Sequence, residues 1–205
     1  MVNRTTDLEL LETFHPPGTG GESNAHKYGA AQRPGIDHVV MEVLGPGEES
    51  AIVTLIQRNL AGFEEAGTVL ASTFRRLEGI PGSISGPGKC FVVARDRSTG
   101  AIIGGVGIGP LHGLSPEEGI GELRDLVLDA HWRGLGIGAR ILHRSIDEAR
   151  SLGYRSLYLE TTPAMDLAQK LFLRFGFRAV THGSKLIRKD DPLPCYFILE
   201  NLNGT

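Results

Sequence analysis

A chain of 205 residues with 40% hydrophobic and 22% charged side chains has room for one ordinary domain around a single core. Its formal net charge of −3 argues against a nucleic-acid surface, which needs a basic excess to neutralise phosphates. No apolar run approaches the ~18 residues that span a bilayer, and the N-terminus lacks the apolar stretch and cleavage site of a secretory signal. A cytoplasmic protein fits these numbers.

In chain order, residues 1–36 read as a flexible tail or an arm lying on a partner. Thr6-Asp7-Leu8-Glu9 can cap a short helix, but Pro16 and Pro17 stop it, and a Gly/Ser/Asn-rich stretch follows up to Pro34-Gly35. So little apolar material cannot offset the entropy of ordering. The folded domain is assigned to residues 37–205. His38 to Val43 is β-branched and apolar, and Gly45-Pro46-Gly47 then makes a turn. Glu48 to Leu60 and Glu64 to Leu77 carry apolar residues at helical spacing, divided by Gly62 and Gly67. After a Gly/Pro/Ser-rich linker at Gly79 to Gly88 come strand-like runs at Cys90 to Ala94, Ala101 to Ile108 and Gly121 to Leu128, the first two joined by a hairpin turn. Ile137 to Leu152 reads as a helix, Ser156 to Glu160 as a strand and Ala164 to Phe175 as a helix. Phe177 to Val180 and Cys195 to Leu199 read as strands, separated by a polar loop from Thr181 to Pro194. Hairpins first and a β-α-β crossover later predict an α/β (mixed α+β) fold, with a mixed sheet and helices on both faces. Cys90 and Cys195 lie in apolar runs without C-x-x-C spacing and read as reduced core residues.

The most informative stretch runs from Leu126 to Gly138. An apolar strand ends, a short loop follows, and Arg133-Gly134-Leu135-Gly136-Ile137-Gly138 opens into a helix. Such a turn offers unpartnered backbone N–H groups at the positive end of a helix dipole. Glycines let that backbone approach a phosphate closely, and Arg133 adds charge. The expected ligand is an anion, most simply a diphosphate. No Gly-Lys-Ser/Thr follows, so the turn is not a P-loop. The spacing is G-x-G-x-G, which is not the G-x-G-x-x-G of a dinucleotide site, and it follows hairpin strands.

Arg133 to Gly138 resembles the R/Q-x-x-G-x-G/A signature of the GCN5-related N-acetyltransferases. Ala168-Gln169-Lys170-Leu171-Phe172-Leu173-Arg174-Phe175-Gly176-Phe177 looks like that family's A-x-x-L-Y-x-x-x-G-F helix and turn. The element order is similar too, so the likeness covers roughly residues 38–201. It implies a central mixed sheet of about seven strands, splayed between the fourth and fifth, and acetyl-CoA as cosubstrate. Arg133, Gly134, Leu135, Gly136, Ile137 and Gly138 would then hold the pyrophosphate. The backbone of Leu126, Val127 and Leu128 would pair with pantetheine and polarise the thioester, with Phe172 also bordering the cofactor. The implied reaction is transfer of acetyl to a primary amine by direct attack in a ternary complex. The acceptor is a small molecule or a peptide, with nucleic acid and membrane excluded and a homodimer left open.

An amine must lose a proton to attack. Glu122 is the candidate base by its position on the central strand, alternating with Arg124 and Leu126 on one face. The structural alternative is that it simply pairs with Arg124, and Asp125 is expected on the opposite face. Phe172 stands where the family often has the tyrosine that reprotonates the thiolate, which leaves Tyr154, Tyr158, water or an unprotonated thiolate. The family's frequent asparagine after the fifth strand is missing, and Thr161 or Thr162 is the substitute on offer. His131 and Trp132 read as loop packing or capping, His143 as a solvated helix face, and His112 with Glu117-Glu118 as surface loop. The seven histidines show no metal-ligand spacing. Two other readings use the same turn: a non-catalytic acyl-CoA-binding module, and a nucleotide binder.

Overall fold

The computed structural model describes residues 36–60, 84–163, 165–180 and 195–202. The expected tail, the second early helix at Glu64 to Leu77 and the loop at Thr181 to Pro194 lie outside the described residues. A 3-10 turn at Ile36–His38 leads into β1 (Val39–Val43). Helix α1 (Glu49–Leu60) follows, then β2 (Cys90–Asp96), β3 (Ile102–Pro110) and β4 (Ile120–Leu128). Helix α2 (Ile137–Ser151), β5 (Ser156–Thr161), helix α3 (Asp166–Arg174), β6 (Arg178–Val180) and β7 (Cys195–Leu199) complete the order. Every predicted element on described residues is present, with ends shifted by one or two residues. Short 3-10 turns at Pro116–Glu118 and Ala130–Trp132 were not read from the sequence, because three residues carry too little periodicity.

The strands form one seven-stranded sheet in the order β1-β2-β3-β4-β5-β7-β6. All neighbours are antiparallel except β4 and β5, the pair that the α2 crossover joins. Helices cover both faces. Ile52, Leu55 and Ile56 of α1 pack with Phe91, Val93 and Val127. On the other face Ile137, Ile141, Leu142, Ile146 and Ala149 of α2, with Phe172 of α3, meet Val92, Val106, Ile108, Leu123, Leu157 and Leu159. The apolar spacing that predicted α2 is thus the stripe it buries. Gly176, at φ 84, ends α3 as expected, since a left-handed residue satisfies the last carbonyls without a Cβ clash.

One feature of β4 corrects the sequence reading. Against β3, Arg124 pairs with Gly107 but Val127 pairs with Gly105, so β4 carries one residue more than its partner. Asp125 takes up the excess at φ 55, a left-handed conformation that aspartate tolerates better than most side chains. Alternation therefore changes phase. Glu122 and Arg124 share the α1 face, as expected, but Leu126 packs on the α2 side, and Val127 takes its place on the α1 side. A bulge that depends on tertiary pairing leaves no mark in hydrophobic periodicity.

Candidate active site

Strands β4 and β5 pair only from Ile120 with Ser156 to Leu123 with Leu159. Beyond that, β4 continues to Leu128 and β5 to Thr161 without pairing to each other, so the sheet splays open. The β5-facing backbone of Arg124 to Leu128 has no strand partner there, and backbone groups withheld from a ladder need another acceptor or donor.

At the wide end of the splay stands the glycine turn. Gly134 and Gly136 adopt φ 76 and 75, and a Cβ built at either meets nothing within 4 Å. The left-handed backbone, not crowding, is what demands glycine. Gly136 is the N-cap of α2 and supplies no side-chain cap, so the first N–H groups of the helix are left to a ligand or water. Ile137 is fully buried and anchors the turn to the core, while Gly138 lies against Leu171 at 3.7 Å from a built Cβ.

Arg133 is exposed and already engaged. Its Nε donates to the Leu128 carbonyl at 3.1 Å and its Nη2 to Asn59 Oδ1 at 2.9 Å. Beside it, Asp129 accepts from the His131 backbone N–H at 3.0 Å and from Arg58 Nη2 at 2.5 Å. Partial burial works to raise the Asp129 pKa, but the His131 contacts and the Arg58 charge outweigh it and hold the carboxyl below its ordinary value. The end of α1 is thereby fastened to the turn at two points. Arg58, Asn59 and Asp129 escaped sequence reasoning, since contacts 71 and 74 residues apart have no local signal. Trp132 is buried in the core and His131 is exposed, in line with packing and capping.

On the α1 face, Glu122 is 5% exposed. Its Oε2 accepts from Arg124 Nε at 2.7 Å, and Arg124 Nη2 also donates to the Pro110 carbonyl at 2.6 Å. The ion pair weighed as the structural alternative is present. Tyr154 donates its hydroxyl to the Gly88 carbonyl at 2.6 Å, and burial pushes its pKa up to about 12. Its proton is committed to the scaffold. Tyr158 pairs across the sheet with Glu122 and is fully buried, its hydroxyl neighbouring the Glu160 carboxylate. Burial, then the neighbouring Glu160 carboxylate, raises its pKa far above the ordinary tyrosine value. Thr161 Oγ1, at the end of β5, is buried with no hydrogen-bond partner among the described residues. The Thr162 carbonyl accepts from Gln169 Nε2 at 2.9 Å. Phe172 lies in the core, its ring 5.9 Å from Phe177 and 6.0 Å from Phe197.

A splayed parallel pair, a glycine-opened helix and an acidic residue on the inner strand are thus features of one seven-stranded mixed sheet. Residues 58–177, more than half of the chain, match the family model described as Acetyltransferase (GNAT) family, and the chain belongs to that family. Over 99 residues it is 32% identical to the uncharacterized N-acetyltransferase YjgM of Escherichia coli, covering 48% of this chain and 57% of YjgM. The match thus spans little more than half the length of that relative. An acetyltransferase of the GNAT family from Staphylococcus aureus superposes with a TM-score of 0.66 at 20% identity, over 80% of this chain and 99% of that one. YncA of Salmonella typhimurium, solved with acetyl-CoA, gives 0.57 at 16% identity over 80% and 94%. At such identities the structures show the shared fold.

Proposed function

We propose that the chain transfers an acetyl group from acetyl-CoA to a primary amine by direct attack in a ternary complex. The splay carries this reading. It leaves a strand edge, a helix N-terminus and an unpartnered Thr161 hydroxyl along one cleft, a donor set that suits an extended ligand with amides at one end and a diphosphate at the other. In this reading the N–H groups of Gly134 to Gly138 hold the diphosphate, with Leu135 and Ile137 fixing the turn. Arg133 joins them by exchanging Asn59 for a phosphate oxygen. The backbone of Leu126, Val127 and Leu128 takes the pantetheine amides, and Thr161 supplies the hydrogen bond that asparagine gives in many relatives. Phe172 shapes the wall behind the cofactor through the core and donates nothing.

Glu122 accepts the amine proton as the nitrogen lone pair forms the C–N bond. The C–S bond breaks, and its electron pair leaves on sulfur as a thiolate, which water can reprotonate because the phenylalanine cannot. Arg124 holds Glu122 at Oε2, so in this reading Oε1 is the oxygen that takes the proton. The acceptor is a small molecule or a peptide amine, the setting the cytoplasm, and a homodimer is compatible with the fold. No described helix is long and apolar enough to cross a membrane.

A second reading, a non-catalytic acyl-CoA-binding module, is favoured by the Glu122–Arg124 pair and by Phe172. Calorimetric titration with acetyl-CoA, with ATP and NAD as controls, tests binding, and thiol release with an amine panel tests turnover. Saturable binding of acetyl-CoA alone with thiol release is the expected result. Binding without release from any amine favours the second reading, and no binding to folded protein removes both.

A further inference from the structure

The residues at the mouth of the splay carry opposite charges on opposite lips. Glu122 of β4 pairs with Tyr158 of β5, so the two side chains share the α1 face. Two residues further along each strand come Arg124 and Glu160, on that same face. Pairing has already ended at Leu123 and Leu159, so these two flank the opening rather than each other. Both are half-buried. Across β3, the residues in register with Arg124 and Glu122 are Gly107 and Gly109, so β3 raises no side chain over that part of the face. Just beneath lies an apolar floor of Leu111, Tyr158 and Tyr196, the two tyrosine rings stacked at 6.2 Å. The buried Tyr158 hydroxyl in this floor neighbours the Glu160 carboxylate.

We propose that this mouth binds a zwitterionic acceptor, an amine that carries its own carboxylate close by, as in a free α-amino acid, with Arg124 taking the carboxylate and Glu160 the ammonium, which loses one proton to water before the neutral amine attacks and Glu122 takes the second. The proposal rests on the acetyl-transfer reading and names its substrate class. Arg124 is held by Glu122 and the Pro110 carbonyl, and a planar guanidinium accepts a bidentate carboxylate with little rearrangement. An incoming carboxylate competes with Glu122 for the same donors. The correct acceptor thus draws Arg124 away from Glu122 Oε2 as it docks. Discrimination then rests on the carboxylate–guanidinium pair, which an amine without a carboxylate cannot form.

The test is calorimetric titration of the protein, with and without coenzyme A, by each common α-amino acid, its primary carboxamide and the amine lacking the carboxyl group. Saturable binding of one or more amino acids is expected, at least ten-fold tighter than of the matching carboxamide or amine. Arg124→Gln should weaken that binding ten-fold or more, and Arg124→Lys should restore part of it. In the thiol-release assay the Gln variant should erase the preference for carboxylate-bearing acceptors, whereas a merely structural role for Arg124 would lower all acceptors alike. Carboxamides or plain amines binding as tightly as amino acids overturns the proposal, as does binding of no amino acid or a preference for a peptide N-terminus. Loss of coenzyme A binding with amino-acid binding intact sinks the acetyl-transfer reading and leaves the zwitterion site standing.

Discussion

Cys90 shows how far a single side chain's surroundings set its chemistry. Burial, then the Glu148 carboxylate, pushes its pKa up to about 11, so at pH 8 only about one molecule in a thousand carries the reactive thiolate there. In the native protein the Cys90 peptide should remain unmodified by iodoacetamide at pH 8 and become modified once the chain is unfolded, as mass spectrometry can follow. Asp129 has the opposite character. Its folded pKa lies below the unfolded value, so its contribution to stability is present above the ordinary aspartate pKa near 4 and is lost as pH falls through the depressed value. Asp129→Ala removes the cap on the Ala130–Trp132 turn and should lower unfolding free energy by about 1 kcal/mol at pH 7. That difference should shrink in urea titrations repeated toward pH 3. Because the Arg58 contact goes with it, acetyl-CoA affinity should fall too.

At the scale of elements, β3 makes a sharp comparison available. A Cβ built at Gly105 lies 2.6 Å from the Val92 carbonyl oxygen and 2.7 Å from the Phe91 ring, whereas one at Gly109 finds its nearest neighbour, Lys89 Cγ, at 3.5 Å. Gly105→Ala must displace backbone and should cost about 2–3 kcal/mol. Gly109→Ala should stay within about 0.5 kcal/mol of the parent, so a pair of urea melts decides it. Gly136→Ala meets no atom but must hold φ 75, a strain of about 1–2 kcal/mol. It should weaken acetyl-CoA binding more than it lowers stability. Elements were the most legible level of the sequence: apolar strand-like runs marked β2 to β5, and the Gly134 to Gly138 turn announced a helix start. The Asp125 bulge was not legible, and it moved Leu126 off the face assigned to it. Nor could the sequence show whether Glu122 stands free or bound, because its partner Arg124 was already on the same face and only side-chain geometry distinguishes a pair from two neighbours.

For the molecule as a whole, the two clusters that join helices to the sheet are unequal. The larger joins α2 and α3 to the sheet through residues such as Leu142, which is fully buried. Leu142→Ala should destabilise by about 2–5 kcal/mol. The smaller joins α1 to Phe91, Val93 and Val127. The same α1 reaches the glycine turn through Arg58 and Asn59. Mixed-sheet class, helices on two faces and the parallel β4–β5 pair all followed from the order of elements, because hairpins and one crossover admit few arrangements. What element order could not supply was the place of the final strand, which enters between β5 and β6.

That insertion has a bearing on how the protein is made. While the chain emerges from a ribosome, β1 to β5 can assemble in sequence, but β5 keeps a bare edge and β6 has no neighbour until Cys195–Leu199 has left the exit tunnel. Throughout that interval the nascent chain exposes a strand edge able to recruit other chains. The last strand therefore acts as a latch, and synthesis that stalls shortly before it should yield aggregates rather than a soluble, partly active fragment.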